Sequence, residues 1–213
     1  MNSPKLRGLG IALGMFLAVY GPAFVAVSLT RPPVQGAIPL IIAISLAIAL
    51  VLIFTLARRT AGVAEFGFSI PKFRYAGLAV LLGLPLAFAA AWLSHLFPSK
   101  APIDTSGFAH WMLWLYFGVG ASIQEEVIFR GLLQSFLEQR WMTLFLVFGA
   151  SLSPAVLFAA TLFGIIHLGS GPIVLAGAIV LGLVAGELRR RSGSLLPAVI
   201  VHALFNLPGL LWP

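Results

Sequence analysis

Six polar side chains interrupt the apolar part of this sequence at spacings that can do chemistry. Glu125 and Glu126 are adjacent, with Arg130 four residues further on; His167 follows at the end of Phe163-x-x-x-His167, and His202 opens His202-x-x-x-Asn206. A carboxylate in an apolar surround is suited to take a proton from water, and an imidazole or carboxamide N–H aimed at a developing oxyanion acts most strongly where water is scarce. Glu126 and Arg130 fall on one helical face and can pair, whereas Glu125 points about 140° away and has no local partner. His202 and Asn206, also four apart, share a face.

These groups sit in a chain built for lipid. Of 213 residues 60% are apolar and only 9% charged, and the mean hydropathy is +1.05. Such values belong to a polytopic helical membrane protein, an all-α bundle. In a span, an ionisable side chain costs roughly +2.5 to +3.5 kcal/mol, so each one needs a functional or pairing reason. The net charge of +7 does not call for nucleic acid, because the cations lie between apolar runs and report orientation. The sequence has no cysteine, which removes thiol nucleophiles, disulfides and thiolate metal sites.

Apolar runs extend from Gly8 to Leu29, Ala37 to Ala57, Ala76 to Phe97 with a break at Pro85, Phe108 to Phe136, Pro154 to Leu168, Pro172 to Leu188 and Leu195 to Trp212. They predict about seven transmembrane helices. The first is too long for a signal peptide. Trp141 to Leu168 is too long for one crossing, and Ser151, Ser153 and Pro154 mark a break, which leaves Trp141 to Ala150 as a short re-entrant or interfacial piece. With the N-terminus in the cytoplasm and the C-terminus outside, the inner side holds Lys5, Arg7, Arg58, Arg59, Lys72, Arg74, Arg140 and Arg189 to Arg191. The outer side holds only Arg31 and Lys100. The Arg189 to Arg191 run reads as a stop signal at a helix end, and His95 and His110 as interfacial residues. No internal repeat or second domain is visible, so residues 1–213 read as one integral-membrane domain with its motif-bearing core at 121–207.

Helical rise places the polar groups at similar depths. Glu125 lies 13 residues from Glu138, and His167 lies 13 from Pro154, or about 20 Å from the inner end in both cases. His202 and Asn206, counted from Ser194, come out at about 12 and 18 Å. Three separate helices thus bring their polar residues to within a turn or two of one level.

The ordered set Glu125-Glu126-x-x-x-Arg130, Phe163-x-x-x-His167 and His202-x-x-x-Asn206 resembles the type II CAAX prenyl protease and bacteriocin-processing family of intramembrane proteases. Phe129-Arg130-Gly131 and Ser192-Gly193-Ser194-Leu195-Leu196-Pro197 support the likeness. The resemblance covers about Ala121 to Leu207 and departs at no motif position. It implies an intramembrane endopeptidase of glutamate or metalloprotease type, acting on a CAAX-type tail, a leader peptide or a membrane-anchored protein. Glu125 and His167 would activate water, His202 and Asn206 would stabilise the oxyanion, and Glu126 and Arg130 would support the site. The expected setting is a bacterial plasma membrane, and the expected partners are a membrane-associated peptide and the bilayer.

Zinc is the alternative cofactor, held by Glu125, His167 and His202 with an open fourth position. A metal-free mechanism is favoured, because a zinc-bound histidine needs an acceptor on its second nitrogen and Glu126 is already assigned to Arg130. Rival protease chemistries fit poorly. The one aspartate, Asp104, lies in an outer loop, no His-Glu-x-x-His occurs, and neither Ser122 nor Ser151 sits in a nucleophile elbow. A transporter or proton relay would also use buried Glu and His, yet the chain shows no paired halves. A non-catalytic scaffold is the third reading.

Overall fold

The computed structural model describes residues 4–97, 107–141, 144–147 and 150–211. Three long apolar helices come first: α1 (Pro4–Thr30), α2 (Val34–Ala57) and α3 (Phe73–Leu96). Their outward residues, among them Leu17, Phe24, Phe54, Leu81 and Phe88, are exposed as expected of surfaces that meet lipid. Pro85 does not break α3, which runs through it without interruption. In a membrane helix the backbone groups freed by proline can be re-satisfied locally, so the residue is tolerated.

Helix α4 covers residues 110–138 as one rod of alternating character. The α-helical pieces His110–Leu113, Ser122–Glu126 and Ser135–Glu138 are separated by π-helical stretches Trp114–Ala121 and Val127–Gln134. Every residue from Val127 to Leu137 is buried, and α1, α2 and the last three helices pack around this rod. The charged motif is therefore the axis of the bundle.

The segment after α4 differs from the expectation of a short re-entrant or interfacial helix. Strands β1 (Phe145–Val147) and β2 (Ala150–Leu152) pair antiparallel, Phe145 opposite Leu152 and Val147 opposite Ala150. A short apolar run reads alike as helix or strand, and here two short strands pair. The Ser-Pro break stands as expected: Ser153 Oγ accepts from Val156 N at 3.1 Å, and Pro154 opens α5 (Pro154–Ile166). Helices α6 (Pro172–Ser192) and α7 (Leu196–Leu211) complete the chain.

Among the described residues the helical rods number seven once the pieces of α4 are joined, and of the uninterrupted helices α1, α2, α3 and α6 are long and apolar enough to cross a membrane. Helix α5 has 13 residues and α7 has 16, the former about 20 Å at 1.5 Å per residue against a core of about 30 Å. Four single helices thus meet the length and apolarity of a crossing, against the seven expected from the sequence. Close packing of α5 on α6 depends on Gly182, where a Cβ would lie 2.8 Å from the Ala160 Cα.

Arg189 corrects the reading of the basic run as a plain stop signal. Its side chain is buried, and Nη2 donates to Glu65 O at 2.8 Å and Ser135 Oγ at 3.0 Å. It thereby clamps the connection between α2 and α3 onto the C-terminal end of α4. Gly67, at φ +91°, lies against this clamp, and its carbonyl accepts from Leu195 N at 2.9 Å. Arg190 and Arg191 pair instead with Glu187 near the surface. Arg189→Ala is expected to destabilise the folded protein by roughly 2–3 kcal/mol, since hydrogen bonds to charged groups carry about 1.5–3 kcal/mol each. Arg191→Ala, at an exposed pair, should cost under about 1 kcal/mol. Equal detergent denaturation midpoints for the two variants would contradict the clamp.

Candidate active site

The acid pair lies on the α-helical island Ser122–Glu126 between two π-helical stretches, and interrupted helices of this kind recur at functional sites. From α7, His202 enters between the two carboxylates. Its Nδ1 lies 2.8 Å from Glu126 Oε1 and its Nε2 lies 3.5 Å from Glu125 Oε2. A carboxylate accepts, so Nδ1 carries a proton and donates to Glu126. His202 is 3% exposed and Glu126 fully buried, while the Glu125 side chain keeps 17% of its surface open. The partner that Glu125 lacks on its own helix is this histidine.

Glu126 serves two partners rather than one. Arg130 Nη1 lies 3.0 Å from the same Oε1, and both side chains have no exposed surface. The guanidinium stacks over Phe163 at 4.8 Å and flanks Phe129 at 5.9 Å. A cation over an aromatic face in a dry surround gains attraction that partly offsets its desolvation. The premise that Arg130 uses up Glu126 is therefore corrected, because Oε1 also holds the second nitrogen of His202.

His167 sits at the end of α5 rather than within a helix. It caps the last turn, and its Nδ1 meets Phe163 O at 2.8 Å. A carbonyl can only accept, so Nδ1 carries the proton and the neutral ring offers Nε2 as an acceptor. The ring packs edge-on against Phe163 at 4.7 Å, and His202 does the same at 5.5 Å. Phe163 is thus the spacer between the histidines and the cushion of Arg130. Sequence reasoning used Phe163 only as a motif letter; its i, i+4 relation to His167 was the available signal.

Asn206 reaches α4 one turn outward. Its Nδ2 donates to Phe117 O at 3.0 Å and to Ser122 Oγ at 3.3 Å, and Ser122 passes its proton to Gly118 O at 2.9 Å. Both amide protons are spent on α4, which makes Asn206 a brace between helices in this arrangement. It also lines a groove of about 800 Å³ between α3, α6 and α7, whose walls include neither Glu125 nor His202. His95 and His110 lie exposed at the ends of α3 and α4, remote in the chain fold from the acid pair.

A zinc ion would need Glu125, His167 and His202 together. Only the first and last meet, and among the described residues no group of three His, Asp or Glu side chains is placed to hold a metal ion. The side chains as placed do not form a three-ligand site.

A bundle with an acid pair facing a histidine defines a class, the polytopic helical membrane protein with a buried Glu–His centre. Residues 107–208 match the family model described as type II CAAX prenyl endopeptidase Rce1-like, and this part of the chain is similar to that family. The match takes in α4 to α7 and every motif residue. Comparison with curated proteins and with solved structures finds no match.

Proposed function

We propose that the protein is an intramembrane endopeptidase that hydrolyses a peptide bond of a membrane-associated substrate with Glu125 as general base. The observation that carries this reading is the grip of Glu125 and Glu126 on the two ring nitrogens of His202, at 3.5 and 2.8 Å, inside the bundle. With His202 doubly protonated, two carboxylates and two cations sum to zero, a balance that suits a low-dielectric site.

Glu125 takes a proton from water, and the hydroxide oxygen attacks the scissile carbonyl carbon. His167 Nε2 accepts the second water proton as a hydrogen bond and holds the nucleophile. Negative charge arriving on the carbonyl oxygen is met by His202 Nε2–H, which Glu126 keeps in place from the other side of the ring. As the tetrahedral adduct collapses, the C–N bond breaks and Glu125 returns its proton to the leaving amine. Asn206 holds α7 on α4 so that His202 faces the acid pair. The substrate is a CAAX-type tail, a leader peptide or another membrane-anchored chain, approached from the inner side where the basic loops lie.

The direct test is mass spectrometry of membrane-bound peptides from cells with wild-type protein or Glu125→Gln. A peptide that accumulates uncut only in the variant supports the protease; identical profiles reject it. No step runs through a metal, so prolonged chelation of purified protein should leave hydrolysis of that peptide unchanged. Stoichiometric zinc, with activity lost on removal and restored on return, would overturn the metal-free mechanism.

A further inference from the structure

A polar tie joins three helices one residue from Glu125. Gln124 Nε2 donates to Ser45 Oγ on α2 at 2.9 Å and to the Tyr20 hydroxyl on α1 at 3.2 Å. All three side chains are buried, Ser45 fully, Gln124 to 3% exposure and Tyr20 to 8%. Ser45 sends its own proton to Ile41 O, so its oxygen is oriented to accept. The Tyr20 ring lies 5.1 Å from Phe16, 6.2 Å from Phe24 and 6.4 Å from Phe129. A phenylalanine would fill that aromatic stack equally well, so only the hydroxyl explains a tyrosine there.

The tie matters because of how α4 is wound. Ser122–Glu126 is a short α-helical island, and the boundaries with its π-helical neighbours fix the direction in which residue 125 points. Moving a boundary by one residue would swing Glu125 away from His202. An anchor on the adjacent residue, bonded to two other helices, holds that boundary. We propose that Tyr20 is a positioning residue for Glu125, acting through Gln124. Helix α1 lies outside the residues matched by the family model, so the site is completed by a part of the chain that the motifs do not mark. The inference rests on Glu125 being the base.

The test compares Tyr20→Phe, Gln124→Leu and the double variant in purified full-length protein. Tyr20→Phe keeps the ring stack and removes one oxygen; kcat should fall about tenfold with KM within about twofold, since small misplacements of a catalytic group act on the chemical step. In the Gln124→Leu background the same change should add less than about twofold, as expected when both act through one contact. The Glu125 carboxyl carbon resonance, assigned by its loss in Glu125→Gln, should move in Tyr20→Phe and not move further in the double variant. Wild-type kcat with an unmoved resonance, or effects that multiply in the double variant, would overturn the proposal. If wild type and Glu125→Gln hydrolyse alike, the protease reading fails on its own and the resonance decides the positioning role. If Tyr20→Phe does not survive purification, Ser45→Ala removes the other acceptor of Gln124 and carries the same expectations.

Discussion

Purified Glu125→Gln protein is expected to hydrolyse a membrane peptide about 10²–10⁴-fold more slowly than wild type, the usual contribution of a positioned general base. The effect should fall on kcat, because an amide of the same shape still fits the site but cannot take a proton. Stability should change little. Glu125 keeps part of its surface open and faces His202 Nε2 at 3.5 Å, beyond good hydrogen-bond distance, so the fold loses no tight bond with the charge. His202→Ala should be slow for a different reason and unstable as well, since it removes the donor for the oxyanion and leaves Glu126 without its 2.8 Å partner. Steady-state rates and detergent denaturation of the two variants separate these cases. Loss of stability in Glu125→Gln equal to that in His202→Ala would assign both residues to the fold.

What the sequence made legible was mostly local or set by one-dimensional distance. Ser153 and Pro154 announced the start of α5 because a cap and a first-turn proline act within four residues. Helical rise brought Glu125 and His202 to within a turn or two of each other in depth, and they meet. The double duty of Glu126 was hidden, because one carboxylate oxygen facing two helices leaves no trace in spacing. Arg189 read as one cation in a run of three, and only the packed loop below it tells it from Arg191. The π-helical winding of α4 has no periodic mark in so apolar a stretch, so the angles calculated from an ideal helix were approximate there. The shortness of α5 has no mark in the apolar pattern, because the run continues through Ile165 and Ile166 to Leu168 while the helix ends at Ile166.

Removing the Arg130 guanidinium should have the largest effect on folding. Arg130 and Glu126 have no exposed surface, and breaking a buried pair by deleting one partner typically costs about 3–5 kcal/mol because the other charge stays behind. In Arg130→Ala the stranded carboxylate retains one partner, the Nδ1–H of His202 at 2.8 Å, so part of the loss is offset. The hole beneath Phe163 adds to the cost, since the guanidinium also packs on that ring at 4.8 Å. Arg130→Ala should therefore accumulate poorly and unfold at lower temperature. Glu126→Gln/Arg130→Met, which removes both charges and keeps most of the volume, should recover much of the stability, because replacing a buried pair by matched uncharged groups is often neutral. Activity should not recover with it, as Glu126 is also the acceptor that orients His202. Thermal denaturation in detergent, read beside peptide hydrolysis, tests both halves. An Arg130→Ala protein that folds like wild type but does not cut would move Arg130 from holding the site together to acting on the substrate.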